Sequence, residues 1–328
     1  MHKFASLVVT GAALSAFAGV AAIAQNGGVP KDAQAHMAKA KALAGSSYMQ
    51  ATYSLQCGLS GRAITNFQTT TVSEPAKLFD NVYYVGLKSV GAYAIQTKSG
   101  IILIDSLNNS EEAQNVIEPG LRKLGLDPAQ VKYVVVTHGH GDHYGGASYF
   151  AEKYGAHVML SEADWSFMSQ PMPPPPPGAP PRPNSPKPVK DLIARDGMVL
   201  ELGGQQVRIV ETPGHTPGTI SLIIPVTDKG RPHVLAMWGG TGVPRDAELR
   251  AKYIASSIRF GALSSKAGAD IELSNHPFVD ASLDRIAQMQ ASKAKANPLI
   301  IGPAAYGRYT KIITECAKAV HAGGPTAN

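Results

Sequence analysis

Cysteine is nearly missing from this chain: two of 328 residues, Cys57 and Cys316. That scarcity excludes a small scaffold held by many disulfides. Neither cysteine has a His or Cys neighbour at ligand spacing, so a cysteine-held metal is excluded too. Charge is also sparse, at 16% against 44% hydrophobic residues, which excludes a disordered chain and leaves material for one core of about 250 residues. No segment after the first 24 residues offers 18 uninterrupted apolar positions, so stable membrane insertion is not expected. Lys and Arg exceed Asp and Glu, 30 to 24, but they are scattered without a basic run or interleaved aromatics. A nucleic-acid face is therefore excluded, and the basic balance reads as a solvated surface.

What is present begins with a leader. Lys3 supplies a positive start, Leu7 to Ala22 an apolar stretch, and Ala22-Ile23-Ala24 a small-x-small cleavage site, so residues 1–24 read as a signal peptide. A periplasmic or secreted location follows. There disulfides persist, and whether Cys57 and Cys316 join is open at this stage. Residues 25–75 read as an N-terminal extension with a helix over Asp32 to Ala44, on which His36 is a solvated residue. Residues 76–322 read as the catalytic domain, and 323–328 as a disordered tail. Within the domain, 171–188 holds eleven of the chain's 24 prolines, which neither strand nor helix tolerates, so it reads as a stiff surface loop bordering the site.

The densest chemistry lies in VKYVVVTHGHGDHYGG, 131–146. A β-branched run reads as a buried strand that stops in a turn holding His138, His140, Asp142 and His143. Gly139 and Gly141 separate them and let the backbone curl so that the side chains converge. Neutral imidazole and carboxylate suit zinc, and a divalent ion with an open position lowers the pKa of bound water to about 7. A second strand, Gln205 to Glu211, leads into TPGHTPG, which repeats the design of strand, glycine turn and histidine at His215. Strands are also read at Asn81 to Leu87, Ala92 to Thr97, Ile101 to Asp105, His157 to Ser161, Thr219 to Pro225 and His233 to Met237. A helix is expected from Ser110 until Gly125 stops it, unless Pro119-Gly120 breaks it sooner, and another over Glu162 to Ser169. His157 and His233 read as structural. Asp105, at a strand end, either orients the metal loop or is a turn acid.

THGHGDHYGG resembles the signature of the metallo-β-lactamase superfamily, which implies an αββα sandwich with metals at the sheet edges. Many of its hydrolases carry a metal-bridging aspartate after the strand that here ends at Trp238, but this chain has Gly239-Gly240. With His276 in SNHPF, and helical sequence beyond it, the chain is similar to subclass B3. That resemblance implies two Zn²⁺, one on His138, His140 and His215 and the other on Asp142, His143 and His276. It implies hydrolysis of a β-lactam amide by a hydroxide shared between the ions, with Asp142 orienting it and no covalent nucleophile. One departure concerns substrate: where the subclass shows Ser-x-Ser to hold a carboxylate, this chain has Gly240-Thr241-Gly242 as the substrate-contact candidates. A lactonase or other ester or amide hydrolase is thus the alternative. An exported zinc binder with little turnover is a third reading, which six intact ligands oppose. The expected partner is a small molecule, and a monomer suffices.

Overall fold

The computed structural model describes residues 28–59, 69–171, 184–291 and 296–326. The leader expected at 1–24 and the 172–183 part of the proline-rich stretch lie outside the described residues.

Two helices, α1 (Lys31–Ala44) and α2 (Met49–Gln56), come first. A seven-stranded sheet follows with its strands side by side in chain order: β1 (Ala76–Lys77), β2 (Val82–Gly86), β3 (Gly91–Thr97), β4 (Gly100–Ile104), β5 (Val131–Val135), β6 (His157–Ser161) and β7 (Leu192–Ala194). Its connections hold α3 (110–123), α4 (Gly141–Tyr144), α5 (Ala147–Tyr154) and α6 (Glu162–Ser169). The second sheet has five strands in the order β12-β11-β10-β9-β8, namely β8 (Val199–Leu202), β9 (Gln205–Glu211), β10 (Ile220–Asp228), β11 (Arg231–Met237) and β12 (Ile271–Glu272). Helix α7 (Ala247–Lys266) joins β11 to β12, and α8 (Ser282–Ala291) and α9 (Pro303–His321) follow.

The layering follows from which side chains alternate. Ile102 and Ile104 of β4 face Ile209 of β9 and Leu222 of β10 in a core between the sheets. Ile101 and Leu103 point the other way, onto Ile117 and Leu121 of α3 and Phe150 of α5. Likewise Val210 and Ile223 leave the central core to meet Met49, Tyr253, Phe260 and Ile313 of the opposite helices. Both sheets are thus apolar on both faces, which explains why β4 reads GIILI with no polar alternation. The order is helix, sheet, sheet, helix. This αββα sandwich is the fold class that the resemblance implied.

Several expectations need correction. The N-terminal extension is no appendage: Ala40, Ala44, Met49 and Tyr53 belong to the same core as α9, and Cys57 and Cys316 form a disulfide across a separation of 259 residues. His36 is not solvated but half-buried, its Nδ1 2.6 Å from Glu315 Oε2. Proline does not break α3; a π turn over Ala113–Ile117 ends with Glu118 N–H on Ala113 O, just before Pro119, which has no N–H to lose. The tail is folded as far as 326, with Gly323 N–H on Val320 O and Gly324 N–H on Ala319 O, so only 327–328 lie outside the described residues. Helices α2 and α7 were not anticipated. Of the structural histidines, His157 and His233 pair with Asp191 and Asp270 at strand starts.

The fold positions the site through strand ends. Strands β4, β5 and β6 run parallel, as do β11 and β12, and β9 and β11 are both antiparallel to β10. The carboxyl ends of β4, β5, β9, β11 and β12 therefore open on one edge of the sandwich. Asp105, the 138–143 loop, His215, the 239–242 loop and His276 follow those five ends.

Candidate metal centre

Beyond β5 the backbone is held by acids rather than by strand partners. Thr137 donates its N–H to Asp105 Oδ1 at 2.7 Å and its hydroxyl to Asp105 Oδ2 at 2.9 Å. Gly139 N–H donates to Asp164 Oδ2 at 2.7 Å. Both glycines of HGHGDH lie in close quarters: a Cβ on Gly139 would meet Met168 at 3.0 Å and Phe167 at 3.1 Å, and one on Gly141 would run into the Ser185 side chain. So pinned, the loop turns its side chains inward.

All six residues expected as metal ligands come together, in two groups. His138, His140 and His215 form one and Asp142, His143 and His276 the other, with the ligand atoms of each group within 4.8 Å of one another. Asp142 Oδ2 lies 3.5 Å from His143 Nε2 and 3.6 Å from His276 Nε2.

The protonation pattern follows from the partners. A neutral imidazole has one donor and one acceptor nitrogen. His138, His215 and His276 set Nδ1 against carbonyls that can only accept, those of Gly239 (2.9 Å), Gly242 (2.9 Å) and Ser89 (2.7 Å). His143 sets Nδ1 2.8 Å from Asp105 Oδ2. In all four, then, Nδ1 carries the hydrogen and Nε2 presents a lone pair to the pocket. Nε2 of His138 is buried without a hydrogen-bond partner. Nε2 of His143 and of His276 face each other at 3.2 Å, and Nε2 of His215 faces Nδ1 of His140 at 3.1 Å. Where His143 is neutral, its lone pair and that of His276 repel unless a cation lies between them. Two nitrogens on one tetrahedral zinc, each about 2.0 to 2.1 Å from it, are about 3.3 Å apart. The donor set and its spacing fit such an ion.

Electrostatics keeps most of these rings neutral. Burial, and then the neighbouring His143 and His215, holds His138 well below the usual imidazole range. Burial likewise lowers His215 and His276 to about 4. His143 is the exception: burial pulls it down, but Asp142 and Asp105 outweigh that and raise it. His143, His276 and His140 overcome the burial of Asp142 and lower it to about 2.

The three residues expected to contact substrate lie on the loop beside His215. Gly240 lies under His215, where a Cβ would come 2.7 Å from that of the histidine. Gly242, at φ +95°, turns its carbonyl to His215 Nδ1. Thr241 is buried, its hydroxyl donating to Asn275 Oδ1 at 3.1 Å and lying 3.4 Å from Ser274 Oγ, so it presents no hydroxyl to the pocket. Gly240 and Gly242 thus seat His215. Asp105, for which two roles were open, is wholly buried and orients both Thr137 and His143.

Sequence reasoning missed two residues. Asp164, wholly buried, accepts from Gly139 N–H, Gly218 N–H (2.8 Å) and Thr216 Oγ1 (2.6 Å), tying the loops of both histidine motifs together. Its sequence signal, a Ser161 cap followed by acids, is that of an ordinary helix start. Asn275 donates to Thr137 Oγ1 at 3.0 Å and Gly239 O at 3.1 Å. Its place beside His276 was the available clue.

Fold and pocket together define the class: an αββα sandwich with a strand-end metal centre of five imidazoles and one carboxylate. Residues 85–228 match the family model described as Metallo-beta-lactamase superfamily, whose members bind metal ions. Among solved structures it is similar to BJP-1, a subclass B3 metallo-beta-lactamase of Bradyrhizobium japonicum, at 26% identity and a TM-score of 0.62, covering 77% of this chain and 94% of that one. Curated relatives include metallo-beta-lactamase domain-containing protein 1 of Xenopus laevis, 33% identical over 34% of this chain, and a hydroxyacylglutathione hydrolase of Acidiphilium cryptum, 29% identical over 29% of it. The matched stretch spans 38% and 31% of those two relatives' own lengths.

Proposed function

We propose that the chain is an exported dizinc hydrolase that opens β-lactam amides, as subclass B3 metallo-β-lactamases do. The observation that carries this reading is the pair of three-donor groups, built from His and Asp with no cysteine, in one strand-end pocket. His138, His140 and His215 would hold one zinc and Asp142, His143 and His276 the other. Bound there, the ions supply Lewis acidity and a water acidic enough to be a nucleophile near pH 7. The chain does the rest. Asp142 is kept anionic by His143, His276 and His140 despite its burial, so it can accept a hydrogen bond from the attacking water and orient it. The Nδ1 bonds to Gly239, Gly242, Ser89 and Asp105 fix four rings before substrate arrives, so little reorganisation is needed at the moment of reaction. No serine or cysteine nucleophile is required. The Cys57–Cys316 disulfide supports the exported location, because such bonds persist in oxidising compartments. A small-molecule substrate and a monomer complete the reading.

A second reading, hydrolysis of lactones or other esters, is favoured by one observation: the 240–242 loop turns no hydroxyl into the pocket to receive the carboxylate a β-lactam carries. Assays of nitrocefin and a carbapenem, with chelator and after zinc is returned, separate the two. Zinc-restored β-lactam hydrolysis is the expected result; turnover of acyl-homoserine lactones or aryl esters alone would select the second reading.

A further inference from the structure

His276 reaches the pocket from a turn that its own sheet supports only in part. Val279 N–H donates to His276 O at 2.9 Å, closing the turn, and Ala281 just beyond it is held at φ +53° without being glycine. Such a backbone persists only where its surroundings fix it. Part of that fixing comes from the far end of the chain. Thr52 of α2 is wholly buried and donates its hydroxyl to Val279 O at 3.0 Å, across 227 residues of sequence. Leu55, on the same helix, packs against Val279 and Phe278, and the Phe278 ring lies 5.6 Å from that of His276. Tyr48, the residue before α2, lies under the Arg285 guanidinium at 4.3 Å. Arg285 in turn is bonded to Asp280 O, and the Asp280 carboxylate accepts from Ser274 N–H at 2.8 Å. Ser274 Oγ accepts from His276 N–H at 3.1 Å.

We infer that α2 is a positioning element for the Asp142–His143–His276 group, and that the Thr52 hydroxyl is the contact through which it acts. A buried position filled for packing alone is served as well by valine as by threonine. Here the hydroxyl meets the carbonyl of the residue that closes the His276 turn. The route from helix to imidazole is two hydrogen bonds long. The disulfide at Cys57, the residue that ends α2, anchors the helix so that this restraint has something to act against.

The inference rests on the reading of the pocket as a two-zinc site, and the test keeps the two apart. Zinc affinity of the full-length protein is measured by chelator competition, and the constant that belongs to the second group is identified as the one lost in His276→Ala. Thr52→Val is expected to weaken that constant about tenfold, the lower end of what loss of an outer partner costs a metal site. The other constant stays within about twofold, and Thr52→Ser restores the first. Hydrogen exchange of the metal-free protein at 276–280 rises in Thr52→Val and not in Thr52→Ser. A merely structural role would lower the unfolding midpoint and move both constants together. Should Thr52→Val fail to fold, Leu55→Ala is expected to show the same selective loss. Unchanged constants in the variants, or no restoration by serine, overturn the inference and leave the two-zinc reading standing. An unaltered protein that takes up no zinc overturns both.

Discussion

Within one pocket, the two donor groups are set on different kinds of backbone. The bed of the His138–His140–His215 group is glycine: the carbonyls of Gly239 and Gly242 receive two Nδ1 hydrogens, and Gly240 leaves room for His215. Gly242 takes its positive φ at no steric cost. The bed of the Asp142–His143–His276 group holds non-glycine residues in the left-handed region, Asp105 at +58°, Leu107 at +64° and Ala281 at +53°. Each such residue costs on the order of 1 to 3 kcal/mol. Buried hydrogen bonds to Thr137, His143 and Ser282 oppose that cost. A ligand group can thus be placed by cheap geometry or by expensive geometry with local compensation, and the second kind is the easier to disturb.

The comparison can be broken most severely at its glycine-bedded side. His138→Ala removes the most deeply placed donor of the first group, so bound zinc is expected to fall from two towards one per chain. Hydrolysis should fall by about three orders of magnitude, because the attacking water loses the ion of the three-histidine group. Elemental analysis and initial rates check it. On the other side, Asp105→Asn keeps the shape but removes the charge that receives His143 Nδ1–H, and the second zinc is expected to bind about 10- to 100-fold more weakly. A first-group constant that shifts equally in chelator competition would erase the distinction between the groups. Asp164→Asn tests the link between the loops. An amide nitrogen would then face at least one of the three donors that the carboxylate now accepts, costing about 1 to 3 kcal/mol of stability, read as a lower urea midpoint.

The smallest effect concerns pH. A metal must displace the proton from each imidazole it binds, so a ring whose pKa is raised gives up metal earlier as pH falls. His143 is raised, whereas His138 is far below its ordinary value and His215 lies at about 4. On acidification the second group is expected to release its zinc before the first. Simultaneous release in a pH titration of bound metal would contradict the asymmetry.

The sequence made the pocket more legible than its supports. His138, His140, Asp142 and His143 crowd one strand end, where their spacing signals a metal loop, and the resemblance to the superfamily added His215 and His276. Asp164 and Thr52 are common residues in ordinary helical sequence, and only the tertiary fold shows what their polar atoms meet. The strands were readable for the same reason: β4, β5 and β9 are unbroken apolar runs or regular alternations. Helix α7 escaped notice because its buried face mixes Tyr253 and Phe260 with Ser256, Ser257 and Ser264, which blurs an apolar stripe. Helix α3 could be foreseen only in part, since nothing in its sequence announces a π turn ahead of Pro119.

The span of the Cys57–Cys316 bond, 259 residues, also bears on how the molecule is made. A ribosome delivers α1 and α2 before any strand exists, and N-terminal segments ordinarily settle first during synthesis. Here their packing partner is α9, so the earliest helices to emerge must wait for one of the last before they can be clamped. Oxidation at these two thiols therefore serves as a completion mark: it can close only on chains whose synthesis has run through to α9.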